Sequence, residues 1–177
     1  MERNVEMVLN SAAQKKLQTV MTRAMILTDR MADSIAFYRD VLGQDVIEDR
    51  VMETDIGLEF IDGTAAARYR LVVFRGDMEL PGSTIAGGRV GVIGIDDPGA
   101  PKGPSDRLDN RRGRAGDTIL VFQVKKIDEI AARARAAGVR ILFGPQVSPH
   151  RLAHHMLMVD PNGKLCELIE LYQARIP

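Results

Sequence analysis

The sequence predicts an α+β fold: two βαβββ modules that form a curled mixed sheet around a cavity, plus an N-terminal helix. The first observation is a repeat. Residues 33–43 match residues 128–138 at an offset of 95 in the predicted capping aspartate, the buried stripe and the final glycine. The second is residues 160–163, Asp-Pro-Asn-Gly, which lie between two apolar runs and form a typical β-hairpin signal. The third is a change of composition at residues 97–116, which separates the two copies. Together they indicate a duplicated unit.

Four segments are therefore expected: an N-terminal helical extension at residues 1–18, a first module at 19–96, a linker at 97–116 and a second module at 117–173. Apolar residues at helical spacing predict an amphipathic helix in the first segment. The linker is rich in Pro, Gly and charge. Its four arginines either clamp an anion or are solvated among the interleaved acidic residues.

The first module contains the clearest helix. Asp33 or Ser34 is expected to cap it, and Gly43 is expected to end it. Strands are predicted at residues 20–28, 45–52, 67–75 and 88–95, with a turn or lid segment at residues 79–84.

The second module repeats this order. A strand at residues 118–124 precedes a helix at 128–138 and a strand at 139–143, and the hairpin around residues 160–163 closes the unit. Each hairpin arm mixes apolar and polar residues, so one face is expected to pack on helices while the other lines a cavity. Glu167 lies mid-strand, where a carboxylate must be exposed, paired or bound to a cation. Cys166 alternates away from it and is expected in the core.

Composition excludes several functional classes. The 177 residues contain 24 Lys plus Arg and 24 Asp plus Glu, so no overall field attracts nucleic acid or a membrane surface. The single cysteine suits a reducing compartment, and no apolar run approaches membrane-spanning length. We expect a cytoplasmic protein with a small-molecule ligand. Nine methionines and no tryptophan predict an aliphatic rather than an aromatic pocket.

Three signatures in this order resemble the vicinal oxygen chelate superfamily, which includes glyoxalase I, bleomycin- and fosfomycin-resistance proteins and extradiol dioxygenases. They are residues 34–43 (Ser-Ile-Ala-Phe-Tyr-Arg-Asp-Val-Leu-Gly), 122–128 (Phe-Gln-Val-Lys-Lys-Ile-Asp) and 160–168 (Asp-Pro-Asn-Gly-Lys-Leu-Cys-Glu-Leu). The resemblance implies paired modules around a cavity and homodimerisation. It does not choose a reaction, because the fold carries isomerases, lyases, dioxygenases and pure binders.

The resemblance also implies a metal site with one ligand from the first and last strand of each module. In the first module these positions fall on Arg23 and on the strand at residues 89–95, which has no side chain that can coordinate a metal. In the second module they fall on Ile119 and Glu167. A divalent cation needs three or four convergent ligands, and a guanidinium is not one of them. We therefore expect no cofactor. A divalent metal fits only with non-standard ligands, such as His155, Glu167 and a loop carboxylate like Glu79.

Arg23 and Glu167 would point into one cavity in the family geometry, and they could form an ion pair. In one interpretation the pair neutralises a vestigial metal site. In the other, Arg23 binds a ligand carboxylate, enolate or phosphate where a metal once polarised it. Both interpretations stay open.

All three histidines, His150, His154 and His155, lie within six residues. Alternate strand positions face opposite sides, and family hairpins turn His155 and Leu157 inward. We predict His155 and Glu167 as catalytic acid–base groups, and Arg23, Leu157 and Gln123 as substrate-binding groups. A surface or second-layer His is the alternative.

Three functions remain open. The leading one is a glyoxalase-like enzyme (a lyase, isomerase or dioxygenase-like activity) acting on a small oxygenated metabolite without the usual metal. The second is a metal-free binding protein of the antibiotic-resistance type. The third is a metal enzyme with relocated ligands.

Overall fold

The computed structural model describes residues 21–52, 68–80, 83–85, 87–95, 117–148 and 152–172. The predicted N-terminal helix at residues 1–18 and the predicted linker at 97–116 lie outside these ranges. No helix in the described ranges is long and apolar enough to span a membrane.

Each module begins with a strand and a helix. The elements of the first are β1 (Ala24–Leu27), α1 (Met31–Ile35, continued by a π-helical segment, Ala36–Val41), β2 (Asp45–Met52), β3 (Tyr69–Arg75), β4 (Met78–Leu80), β5 (Ser83–Ile85) and β6 (Arg89–Ile95). The elements of the second are β7 (Ile119–Gln123), α2 (Ile127–Ala136), β8 (Ile141–Val147), β9 (Ala153–Val159) and β10 (Leu165–Leu171).

The strands form two four-stranded sheets with the same topology, β1-β6-β3-β2 and β7-β10-β9-β8. The first strand of each module runs parallel to the last, and the other neighbours are antiparallel. The predicted α+β class and the two-module organisation of the sheets are thereby confirmed. In the segment at residues 79–84, predicted as a turn or lid, the described residues belong to β4 and β5, which pair with each other. Residues 81–82, between these strands, lie outside the described ranges.

The predicted cap of α1 is wrong. The helix begins at Met31, three residues earlier than a cap at Asp33 predicts, and its N-cap residue, Arg30, makes no side-chain capping bond. The Ser34 hydroxyl lies instead 3.1 Å from the Thr28 hydroxyl, in a buried contact. The predicted end is confirmed, because Gly43 adopts φ +71°, a conformation that disfavours side chains with a Cβ.

A carboxylate from β10 holds the start of α2. Glu170 accepts hydrogen bonds from the backbone amides of Lys126 and of Ile127, the latter at 3.2 Å. These amides begin the helix and have no partner within it, so Glu170 replaces a local cap. The positive end of the helix dipole also favours a carboxylate here.

One cluster of buried apolar residues, which we call the core, joins the two modules. It contains Phe37, Tyr38 and Val41 of the first helix, Ile130 and Ala131 of α2, and residues from both sheets. The alternate residues of the hairpin, Met156, Met158, Cys166 and Leu168, lie in this core as predicted. The modules therefore pair within one chain.

The turn of the second hairpin is tied to the helix of the first module. The Tyr38 hydroxyl donates to Asp160 Oδ2 at 3.0 Å, and the Asn162 side-chain amide donates to Ser34 Oγ at 3.0 Å. Asp160 Oδ1 also accepts the backbone amides of Asn162 at 2.9 Å and of Lys164 at 2.6 Å. We call Thr28, Ser34, Tyr38, Asp160 and Asn162 the intermodule junction. Burial raises the pKa of Asp160 above its ordinary value, although these hydrogen bonds act in the opposite direction.

Candidate functional site

The face of the second sheet that points away from the core carries four of the predicted site residues. In the strand register, Glu167 lies opposite Leu157 on one side and Val121 on the other. Ile169, two residues on, lies opposite His155 and Gln123. Neighbouring strand residues in register share a face, so Gln123, His155, Leu157 and Glu167 lie on one surface.

His155 and Glu167 form a close pair on this surface. His155 Nδ1 lies 3.5 Å from Glu167 Oε1, with the His side chain 15% exposed and the Glu side chain 29% exposed. The imidazole packs against the Phe143 ring, with centroids 4.9 Å apart. Its Nε2 atom is buried and has no hydrogen-bond partner.

The His155 imidazole and the Glu167 carboxylate differ in how accessible they are to a ligand. A proton on His155 Nδ1 faces the carboxylate, which leaves Nε2 as an unpaired acceptor rather than an unpaired donor. Because Nε2 is buried, the more accessible group is the Glu167 carboxylate. The arrangement is therefore chemically suited to a carboxylate base that a histidine orients, whereas the sequence predicted both residues as acid–base groups without dividing the roles.

The neighbouring residues face the other way. His154 lies opposite Glu170 in the register, and its ring is 5.0 Å from the Tyr172 ring. Cys166 is fully buried in the core, and burial raises the pKa of its thiol well above the ordinary value. A thiol in this state is a poor nucleophile, as predicted. His150 lies outside the described residues.

Arg23 has a different partner from the one suggested by the sequence. Its Nη1 atom lies 3.5 Å from Glu48 Oε2, and Glu48 Oε1 is 2.9 Å from Arg50 Nε. Among the described residues no ion pair joins Arg23 to Glu167, so the predicted pair is wrong. The physical reason is curvature. Arg23 immediately precedes β1 and Glu48 belongs to β2, the opposite edge strands of the first sheet, and the sheet curls enough to bring their side chains together.

A cleft of about 980 Å³ lies where the edge strands β1 and β7 approach each other. We call it the seam cleft. Residues 21–24 and 118–125 form its two sides, and residues 42–44 and parts of α2 contribute further wall. Two predicted substrate-binding residues, Arg23 and Gln123, line it. Sequence reasoning missed the cleft, because strand periodicity does not reveal how two sheet edges approach.

A family model matches this fold and sequence. The model describes the Glyoxalase/Bleomycin resistance protein/Dioxygenase superfamily, and it matches residues 20–168. The chain belongs to this superfamily. A search of curated proteins found no match.

Solved structures of superfamily proteins share the fold at low identity. A glyoxalase family protein from Bacillus cereus is 17% identical, with a TM-score of 0.63 over 90% of this chain and 99% of that chain. Trypanothione-dependent glyoxalase I from Leishmania major is 18% identical, with a TM-score of 0.51 over 86% of this chain and 87% of that one. A fosfomycin resistance protein from Listeria monocytogenes is 14% identical, with a TM-score of 0.50 over 86% and 90%.

The metal site that the superfamily implies does not fit the side chains at its expected positions. Arg23 is a cation in an ion pair, and Ile119 is apolar and 46% exposed. Strand β6 contains only Arg, Val, Gly and Ile, so only Glu167 offers a ligand atom. No group of three His, Cys, Asp or Glu side chains converges within the ranges that the structure describes. The side chain of Glu79, a possible relocated ligand, lies outside those ranges.

Proposed function

We propose that this superfamily member is a glyoxalase-like enzyme that acts on a small oxygenated metabolite without a divalent metal. The observation that carries the proposal is the pair of His155 and Glu167, 3.5 Å apart on the face that points away from the core. Burying a histidine beside a half-buried carboxylate has a desolvation cost, and strand stability does not require it. Such pairs are suited to proton transfer.

In this proposal Glu167 removes a proton from a carbon next to the substrate carbonyl, and the C–H electron pair becomes the enolate. Glu167 then returns the proton either to the same carbon or to the former carbonyl carbon; in the second case the proton of the substrate's α-hydroxyl passes to the enolate oxygen, so that proton and charge balance without an oxidant. His155 is a positioning residue that donates from Nδ1 and keeps the carboxylate aimed at the ligand. Positioned acid–base groups typically contribute about 10²–10⁴-fold to rate.

The remaining predicted residues would hold the ligand. Leu157 lies opposite Glu167 and supplies apolar contact. Gln123 supplies an amide that can donate to a ligand oxygen and accept from a hydroxyl. Arg23 supplies a charge for the anionic part of the ligand or for the developing enolate, which is the role that a metal has in other superfamily members.

The test is proton exchange followed by NMR. A panel of small α-hydroxy and α-keto compounds is incubated with the protein in D₂O, and loss of the α-proton signal reports proton abstraction. We expect one class to exchange, Glu167→Gln to slow exchange at least 100-fold, and a chelator to have no effect. His155→Gln should lower the rate less and shift its pH profile. About one Zn, Ni, Mn or Fe per chain, lost together with activity on chelation, would overturn the metal-free proposal.

A binding protein without chemistry is the second candidate. Four large apolar side chains on the edge strands flanking the seam cleft are 42–58% exposed, namely Met25, Leu27, Ile119 and Val121. An apolar surface of this kind suits ligand sequestration without catalysis. Ligand binding that survives Glu167→Gln unchanged, with no exchange of any compound in the panel, would favour this candidate over the enzyme.

A further inference from the structure

We propose that the seam cleft is a binding site for an oxyanion, a carboxylate or phosphate group on a small partly apolar molecule, and that both modules supply its charges. The basic residues lining the cleft come from the residue before β1 and from β6 in the first module, and from the connection after β7 and from α2 in the second. They are Arg23, Arg89, Lys125 and Arg133. The proposal concerns binding alone and goes beyond the catalytic step, with whose proposed ligand contacts it shares Arg23 and Gln123.

The cleft has an excess of positive charge. Four basic side chains line it, and Asp77 is the single carboxylate among its described lining residues. Asp77 is already engaged, because its Oδ2 lies 3.2 Å from Arg75 Nη2 and its Oδ1 accepts the Gly87 amide at 3.3 Å. Like charges in a concave space reinforce one another's field, so an anion would lower the electrostatic energy of this region.

Arg89 is the strongest single indication. It lies directly opposite Arg75 in the register of β3 and β6, and like charges in this position repel. Arg75 has Asp77 as its counter-ion, whereas no ion pair of Arg89 occurs within the described part of the chain. An exposed arginine beside a second arginine at a cleft wall is well placed to bind an incoming carboxylate or phosphate with two parallel hydrogen bonds.

Arg23 and Arg133 also keep hydrogen-bonding capacity for a ligand. Arg23 contacts Glu48 through one nitrogen at 3.5 Å, and Glu48 has a shorter contact with Arg50. Arg133 uses Nη1 to donate to the Asp40 carbonyl at 3.2 Å, which leaves its other nitrogens. A guanidinium has five N–H donors, so neither residue is saturated by these contacts.

The remainder of the wall indicates the character of the ligand. Leu120, Phe122 and Val124 provide an apolar side, which suits an aliphatic body. Gln44 also lines the cleft, and its buried Oε1 atom has no hydrogen-bond donor. A hydroxyl or ammonium group on the ligand would supply that donor. The volume of about 980 Å³ lies at the upper end of typical small-molecule sites.

The test uses inorganic phosphate and malonate as probes, with sodium chloride at matched ionic strength to separate binding from screening. Calorimetric titration and the midpoint of thermal unfolding are measured for the full chain. We expect phosphate, malonate or both to bind, and the tighter one identifies the head group. Arg89→Gln and Arg23→Gln should each weaken binding about tenfold, the effect of losing one charge-assisted contact. Arg135→Gln, an exposed arginine of the same helix as Arg133 that does not line the cleft, is the control.

Two outcomes would overturn the inference: neither anion acts beyond the chloride control, or Arg89→Gln binds as tightly as Arg135→Gln. Proton exchange by the wild type and by Glu167→Gln tests the catalytic proposal separately from the cleft proposal. If Glu167→Gln abolishes proton exchange while the wild type binds no oxyanion, the catalytic proposal stands and the cleft proposal fails. If the wild type binds an oxyanion but exchanges no proton, the cleft proposal stands and the catalytic proposal fails.

Discussion

Replacing Tyr38 by Phe isolates one hydrogen bond of the intermodule junction. Tyr38 is fully buried, and its hydroxyl donates to Asp160 Oδ2 at 3.0 Å. Its ring packs against Phe37 and Phe74, with centroids 5.0 Å and 5.3 Å away. Phe keeps these ring contacts and creates no cavity, so the change in the free energy of unfolding reports the lost hydrogen bond.

The expected loss follows from what remains around Asp160. Hydrogen bonds to charged groups contribute about 1.5–3 kcal/mol. Asp160 Oδ2 retains the Asn162 side-chain amide at 3.3 Å, so the carboxylate is not left without a donor. We therefore expect a loss of about 2 kcal/mol at pH 7.

The loss should depend on pH in a defined direction. The Tyr38 bond lowers the pKa of Asp160, and its removal raises that pKa further. Below the folded-state pKa the carboxyl is protonated in both proteins, and only a neutral hydrogen bond is lost, about 1 kcal/mol. The destabilisation should therefore grow as the pH rises through the folded-state pKa of Asp160.

Urea unfolding of Tyr38→Phe at pH 4 and pH 7 measures both values. Tyr69→Phe is the matched control, since Tyr69 is also buried but no hydrogen bond of its hydroxyl occurs among the described residues. The control should change stability by less than about 0.5 kcal/mol. Equal losses at the two pH values, or a loss at pH 7 no larger than that of Tyr69→Phe, would refute the reasoning.

Further predictions concern the junction, the helix ends and assembly. Because the folded-state pKa of Asp160 is raised, the carboxyl's contribution to the free energy of unfolding falls as the pH rises above about 4. Asp160→Asn should remove this decrease when the free energy of unfolding is measured by urea titration from pH 4 to 8. If the variant and the wild type show the same dependence on pH, the decrease comes from another group. Gly138→Ala should cost about 1 kcal/mol from backbone strain alone, since φ is +69° and the added carbon meets no residue beyond the glycine's chain neighbours within 4 Å; a neutral effect in thermal unfolding would contradict this. Glu170→Ala should lose about 1–2 kcal/mol by exposing the first amides of α2, and a stability equal to wild type would exclude the capping role. Deleting residues 1–18 should shift a dimer toward monomer in light scattering, and an unchanged mass counts against a role in assembly.

Much of the architecture could be predicted because local signals agreed with one another. The repeat of residues 33–43 at 128–138 located both helices, and Gly43 and Gly138 end them with φ +71° and +69°. The residues 160–163 located the hairpin, where Gly163 has φ +76°. Alternation along the last strand correctly separated Cys166 in the core from Glu167 on the other face.

What the sequence did not predict depends on geometry across strands. Ser34 looked like a cap, but its hydroxyl contacts Thr28 and accepts from Asn162, 128 residues away in the chain. The first helix widens into a π-helical segment where Phe37 and Tyr38 are both buried, a local choice that helical periodicity does not encode. Alternation placed Arg23 on a strand face but could not reveal that sheet curvature brings it to Glu48.

The intermodule junction has a consequence for how the superfamily can diversify. Two of the sequence signatures attach the helix of one module to the turn of the other. One contains Ser34 and Tyr38, and the other contains Asp160 and Asn162. None of these side chains lies on the sheet face that carries Glu167. Substitutions that erase a metal ligand on that face leave the attachment untouched, so a lineage can change or lose its chemistry and still be recognised by its scaffold.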